Sequence, residues 1–87
     1  MYLIMVYDIN EKRVNKVLKT GRKYLNWVQN SVFEGEITEA KFVKLKSELK
    51  RIIKEEKDSV IFYTMRTTKY SEREIMGIKK GGEELII

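Results

Sequence analysis

Hydrophobic and polar positions alternate between two regimes along this 87-residue chain, one of strand period and one of helix period. Tyr2 to Tyr7 (YLIMVY) is an unbroken apolar run of strand length, the pattern of a strand buried on both faces, and it ends at the polar pair Asp8 and Asn10. Asn10 is placed to cap a first helix with Glu11 in its opening turn. Val14, Val17, Leu18 and Leu25 recur there at helical spacing, and Gly21 weakens the segment. From Trp27 the pattern becomes extended: Val28, Ser31, Val32, Phe33 and Ile37 interleave with Gln29, Asn30, Glu34 and Glu36, and Gly35 marks a bulge. Thr38 caps a second helix, predicted to run to about Glu56, with Phe42, Leu45, Leu49 and Ile52 on one stripe. Asp58 and Ser59 turn the chain into Val60 to Met65, a β-branched and aromatic strand. Thr67 to Ser71 reads as a polar loop, Glu74 to Lys79 as a further strand, Gly81-Gly82 as a turn, and Leu85 to Ile87 as an apolar end.

These elements correspond to an α+β, ferredoxin-like βαββαβ order with an extra C-terminal strand: one antiparallel sheet, with two helices on one face. Residues 1–87 form a single domain on this reading, since the length leaves no room for a second. The second sheet face then lacks a layer, and pairing it with another copy covers it. A homodimer is therefore expected, with residues 80–87 as a C-terminal strand packing on the partner protomer.

Composition narrows the chemistry. The chain has neither Cys nor His, which removes thiol nucleophiles, disulfides, imidazole acid-base pairs and His-ligated zinc. Any catalysis must use carboxylates, Lys, Tyr, hydroxyls or a hard metal ion. The longest apolar run is far below the roughly 18 residues that span a bilayer, and a signal peptide's basic start is missing, so a cytoplasmic protein without membrane contact is expected. Charge is uneven. Lys12, Arg13, Lys16, Lys19, Arg22 and Lys23 stand against Glu11 alone in the first helix, while acids and bases balance over the rest of the chain, which carries +5 in total. A concentrated basic stripe is the footprint of a phosphate-binding surface; a solvated helix face is the plainer alternative.

Three segments together resemble the CRISPR-associated Cas2 family, the small spacer-acquisition subunit: YDI at Tyr7 to Ile9, QNSVFEG at Gln29 to Gly35, and DSVIFYTM at Asp58 to Met65. The resemblance implies a ferredoxin-like homodimer, the CRISPR integrase as partner, and double-stranded DNA lying across the assembly. It also implies a metal-dependent endonuclease activity on RNA or DNA that differs among members, some of which act mainly as a scaffold. The family's metal-site aspartate matches Asp8. A carboxylate at the end of a buried strand sits on a rigid support, where a two-fold axis can bring its copy near and one Mg²⁺ or Mn²⁺ can sit between the protomers. Tyr7, Ser31 and Phe33 match positions linked to the active site in relatives, with packing in the core as the alternative for Tyr7 and Phe33. Arg13 and Lys16 match basic residues at the start of the first helix, and Lys19, Arg22 and Lys23 extend that phosphate-facing set. Trp27 departs from the pattern, since many relatives carry Arg there.

Three further readings stand beside the nuclease. One is a catalytically inactive dimeric adaptor for the integrase; another is a stand-alone toxin-type ribonuclease of the same fold. The last is a single-stranded RNA module using Tyr2, Phe62 and Tyr63, which lacks the glycine and paired aromatics such modules use.

Overall fold

The computed structural model describes residues 1–67 and 70–78. The elements run β1 (Tyr2–Asp8), α1 (Glu11–Tyr24), β2 (Asn26–Gln29), β3 (Val32–Glu36), α2 (Glu39–Ile52), β4 (Ser59–Thr67) and β5 (Tyr70–Gly77). The first six give βαββαβ, with β5 as the added strand. All five strands form one antiparallel sheet in the order β2-β3-β1-β4-β5, so β1 lies at its centre. The expected α+β class and ferredoxin-like order are both present.

Both helices begin as their capping residues dictate. The Asn10 side chain accepts from Lys12 N at 2.9 Å, and the Thr38 hydroxyl accepts from Lys41 N at 3.1 Å. Each helix has one glutamate in its first turn and two basic residues in its last, in accord with the helix dipole. Their apolar stripes pack onto one face of the sheet. Val17, Leu45 and Leu49 meet Leu3, Met5, Tyr7, Phe33, Val60 and Phe62 in a single core, where Phe42 packs edge-on to Phe62 at 5.2 Å between ring centroids. Lys23 and the Tyr24 hydroxyl of α1 both bond the Glu48 carboxylate of α2, which ties the helices together.

Gly21 lies inside α1 without breaking it, because the missing side chain is what lets the helix approach the sheet. A Cβ there would stand 2.9 Å from two atoms of the fully buried Phe33 ring. In Gly21→Ala the helix-propensity gain of roughly 1 kcal/mol is opposed by roughly 1–3 kcal/mol of overpacking. A net loss of about 1 kcal/mol, read from the urea midpoint, is the expected result.

Several boundaries differ from the sequence reading. Residues 27–37 form a hairpin rather than one strand: Asn30 adopts a positive φ of 39°, and the chain reverses between Gln29 and Val32. The irregularity in register falls between Trp27 and Gln29, not at Gly35, which pairs regularly with Leu3. Helix α2 stops at Ile52, because the Asp58 carboxylate captures the backbone N–H of Lys54 and bends the chain into a turn. Within the expected loop, Thr67, Tyr70 and Ser71 belong to strands, since β4 and β5 pair from Ser59↔Gly77 to Thr67↔Tyr70. Strand β5 correspondingly starts before Glu74 and ends at Gly77. The proposed Gly81-Gly82 turn and the 80–87 strand lie outside the described residues.

Strand β1 is also not buried on both faces of a single chain. Leu3, Met5 and Tyr7 are buried beneath the helices, whereas Tyr2, Ile4 and Val6 alternate onto the opposite face and are half-buried. Their partners there are Met65, Tyr63 and Ile61, so the face away from the helices carries an apolar band across the central strands. Among the described residues no helix is long and apolar enough to cross a membrane.

Candidate carboxylate site and nucleic-acid interface

Asp8 closes β1, exposed, in the row Tyr2, Ile4, Val6, Asp8 on the face away from the helices, and its backbone partner is Ser59. Tyr7 precedes it and therefore points the other way, into the core. The Tyr7 ring lies 5.8 Å from that of Phe33, its hydroxyl donates to the Asn30 carbonyl at 3.1 Å, and its N–H donates to the Ser31 carbonyl at 3.0 Å. Burial raises the pKa of the Tyr7 phenol above its ordinary range, against the opposing pull of Arg22. The structure thus gathers Tyr7, Phe33 and the Ser31 backbone near the β2–β3 turn and sets Asp8 on the sheet face opposite the two rings.

The loop that carries Asp8 into α1 is held by a residue that sequence reasoning assigned only to a turn. Asp58 is completely buried. Its Oδ1 accepts from Asn10 N at 3.0 Å and Arg13 Nη2 at 2.9 Å; its Oδ2 accepts from Arg13 Nε at 2.6 Å and Lys54 N at 2.8 Å. The forked Arg13 contact, helped by the two backbone N–H groups, holds this carboxyl well below the usual carboxylate range despite its burial. One side chain therefore clamps the start of α1, the end of α2 and the start of β4 together. The local sequence signal was slight: an aspartate directly before an apolar strand resembles any turn residue.

Arg13 is consequently placed differently from the other basic residues. Its Nε and Nη2 are committed to Asp58 and its side chain is only 15% exposed, so its fork faces inward. Lys12, Lys16, Lys19 and Lys23 fall at spacings of four, three and four, which puts them on one face of α1. Lys23 is paired with Glu48. Among the described residues, Lys16, Lys19 and Arg22 enter no ion pair and are exposed.

Among the described residues there is no group of three or more carboxylates that would hold a metal ion. Among the described residues Asp8 is not part of such a group, so a hard cation held there would draw further donors from a second copy. Trp27 stands on β2 with about half of its surface exposed, and its indole N–H donates to the Asn30 carbonyl at 3.0 Å.

Comparison with known proteins sets this geometry in a family. Residues 1–73 match the family model described as CRISPR associated protein Cas2. The chain is 69% identical over 87 residues to the CRISPR-associated endoribonuclease Cas2 of Dictyoglomus turgidum, covering all of both proteins. It is 56% identical to the protein of the same name from Thermotoga maritima, covering 99% of each. Among solved structures, a crystal structure of Cas2 superimposes with a TM-score of 0.74 at 46% identity, covering 100% of this chain and 98% of that one. The Streptococcus pyogenes Cas2 structure at pH 6.5 matches with a TM-score of 0.69 at 41% identity, over 75% of this chain and 86% of that one.

Proposed function

The chain belongs to the CRISPR associated protein Cas2 family, and from that premise we propose that it acts as a homodimeric spacer-acquisition subunit. It binds double-stranded DNA through the exposed basic stripe of α1, together with the CRISPR integrase, and hydrolyses phosphodiesters of RNA or DNA at a metal site built on Asp8. The observation that carries this reading is the position of Asp8. It ends the row Tyr2, Ile4, Val6 on the sheet face that the helices leave open. Pairing that apolar band with its copy about a two-fold axis near this end brings the two Asp8 carboxylates together.

Each protomer then contributes one carboxylate, and the pair would hold a single Mg²⁺ or Mn²⁺. A cation there supplies positive charge to a phosphoryl oxygen and relieves the repulsion between the carboxylates. The chain's own residues do the rest. Lys16 and Lys19 hold backbone phosphates as point charges, and this sets the register of the strand without reading its sequence. Asp58 fixes Asn10 and Arg13, and with them the loop on which Asp8 sits. In this arrangement Arg13 acts as a brace rather than a clamp on phosphate.

The adaptor reading is favoured by one specific observation. Tyr7 and Phe33 are buried in the core on the helix side of the sheet, so neither ring is presented beside the Asp8 carboxylate.

The test compares wild type and Asp8→Ala on matched single-stranded RNA and duplex DNA with Mg²⁺, Mn²⁺ or EDTA, with sedimentation confirming that both are dimers. Wild type is expected to cut only with metal, and Asp8→Ala to cut at least about ten-fold more slowly, as for loss of a group that tunes metal affinity. Duplex binding should persist in the variant and fall steeply with added salt. Binding without cleavage by either protein selects the adaptor. Cleavage that is equal in both removes Asp8 from the chemistry.

A further inference from the structure

We propose that Trp27 is a stacking platform for an unpaired base of single-stranded RNA or DNA whose phosphates run along the basic end of α1. The inference rests on the reading of this chain as a nucleic-acid-binding protein and is independent of cleavage at Asp8.

Four observations lead to it. Strand β2 is a four-residue edge strand exposed along its whole length, and Trp27 within it is 51% exposed, an unusual place for the largest apolar side chain. The irregularity between Trp27 and Gln29 re-aims the strand at this residue. The indole is not loose: its N–H is anchored on the Asn30 carbonyl, which also receives the Tyr7 hydroxyl from the central strand. A ring held this way presents a flat surface without first losing rotamer freedom, which is the economical arrangement for stacking.

The charge around it selects the ligand. From Lys12 to Phe33 the chain contains no carboxylate, and Glu34, which pairs with the neighbouring Asn26, lies in the row of Ile4 on the other sheet face from Trp27 and its partner Phe33. Arg22 is exposed in the last turn of α1, close enough to Tyr7 for its charge to act on the phenol that shares the Asn30 carbonyl with Trp27. Glu48, which faces this end of α1, is already neutralised by Lys23. An exposed aromatic ring bordered by unpaired positive charge fits a base and its phosphate. Bases inside a duplex are already stacked on both sides, so away from the duplex ends an unpaired base is the one with a free face to offer.

Trp27 is the sole tryptophan, so fluorescence excited at the red edge of the absorption band, beyond the five tyrosines, reads this residue alone. Wild type is titrated with oligo-U, with oligo-dT and with a blunt DNA duplex of the same length, while binding is followed separately by anisotropy of labelled strands. Both single strands are expected to quench the emission to saturation, and the duplex to bind without quenching. Trp27→Ala should weaken single-strand binding about ten-fold, leave the duplex Kd and the salt slope unchanged, and unfold at a temperature close to wild type. Trp27→Tyr should recover most of the loss.

Wild type that binds single strands without quenching, or Trp27→Ala that binds them as tightly as wild type, overturns the platform and leaves the nucleic-acid reading intact. Wild type that binds neither strand nor duplex overturns both. Emission that shifts with protein concentration alone would place a second copy over Trp27, and it too overturns the proposal.

Discussion

Asp58→Ala is expected to lower the unfolding free energy by about 3–5 kcal/mol, the range for removing one partner of a buried ion pair. The carboxylate is completely buried and receives both arms of Arg13 and the backbone N–H groups of Asn10 and Lys54. Its loss leaves the largely buried guanidinium and two backbone donors without their acceptor, and each unmet donor adds its own desolvation cost. Asp58→Asn keeps one acceptor oxygen and should fall between the two. Urea denaturation followed by circular dichroism measures all three proteins.

The same residue sets an acid limb. Its folded-state pKa is depressed, with the Arg13 hydrogen bonds as the first cause. Stability from this group is therefore complete above the ordinary aspartate range near ~3.9, and is lost progressively as pH falls below that range. Glu48 is lowered as well, chiefly by its bond to Lys23 and then by Tyr24. It contributes to the same limb, so the informative quantity is wild type minus Asp58→Asn, in which Glu48 cancels. That difference should be flat from pH 8 to about 5 and shrink toward zero in more acid solution. A difference independent of pH would remove the ionised carboxylate from the account.

Gly77→Ala is the second large effect, expected at about 2–5 kcal/mol. Gly77 ends β5 with φ +103°, a conformation that costs an L residue roughly 1–2 kcal/mol. Its Cβ would stand 2.0 Å from the backbone oxygen of Asp58, so the two strands must also part, at roughly 1–3 kcal/mol. That oxygen accepts from Ile78 N at 2.9 Å, and parting the strands strains this bond as well. Because both substitutions disturb one turn, Gly77→Ala combined with Asp58→Ala should cost less than the sum of the two. A double mutant that is fully additive would mean that Gly77 does not reach the Asp58 clamp.

Much of the architecture was legible because its signals are local. Asn10 and Thr38 cap their helices as their side chains dictate, and the stripe Phe42, Leu45, Leu49 is the buried face of α2. The hairpin at Asn30 was missed because its turn lacks the glycine that usually announces one, and Asn30 alone supplies the positive φ. At the site, Asp8 does stand exposed at the end of a central strand. Arg13 counted equally with Lys16 in a sum of charges, yet its fork turns inward because Asp58, 45 residues away in sequence, waits beneath it.

By itself, then, the sequence determined what depends on neighbours along the chain: which two segments are helical, where those helices start, that β1 and β4 are strands, that positive charge collects on α1, and that a carboxylate closes β1. Only the tertiary structure decided which sheet face each β1 side chain occupies in a packed chain, and that Arg13 braces the loop while Lys16 and Lys19 stay in solvent. The physical reason is the range of the interactions. Caps and helical periodicity act over three or four residues, whereas the Asp58 clamp and the β1–β4 register join positions some 45 to 63 residues apart, for which no local pattern exists.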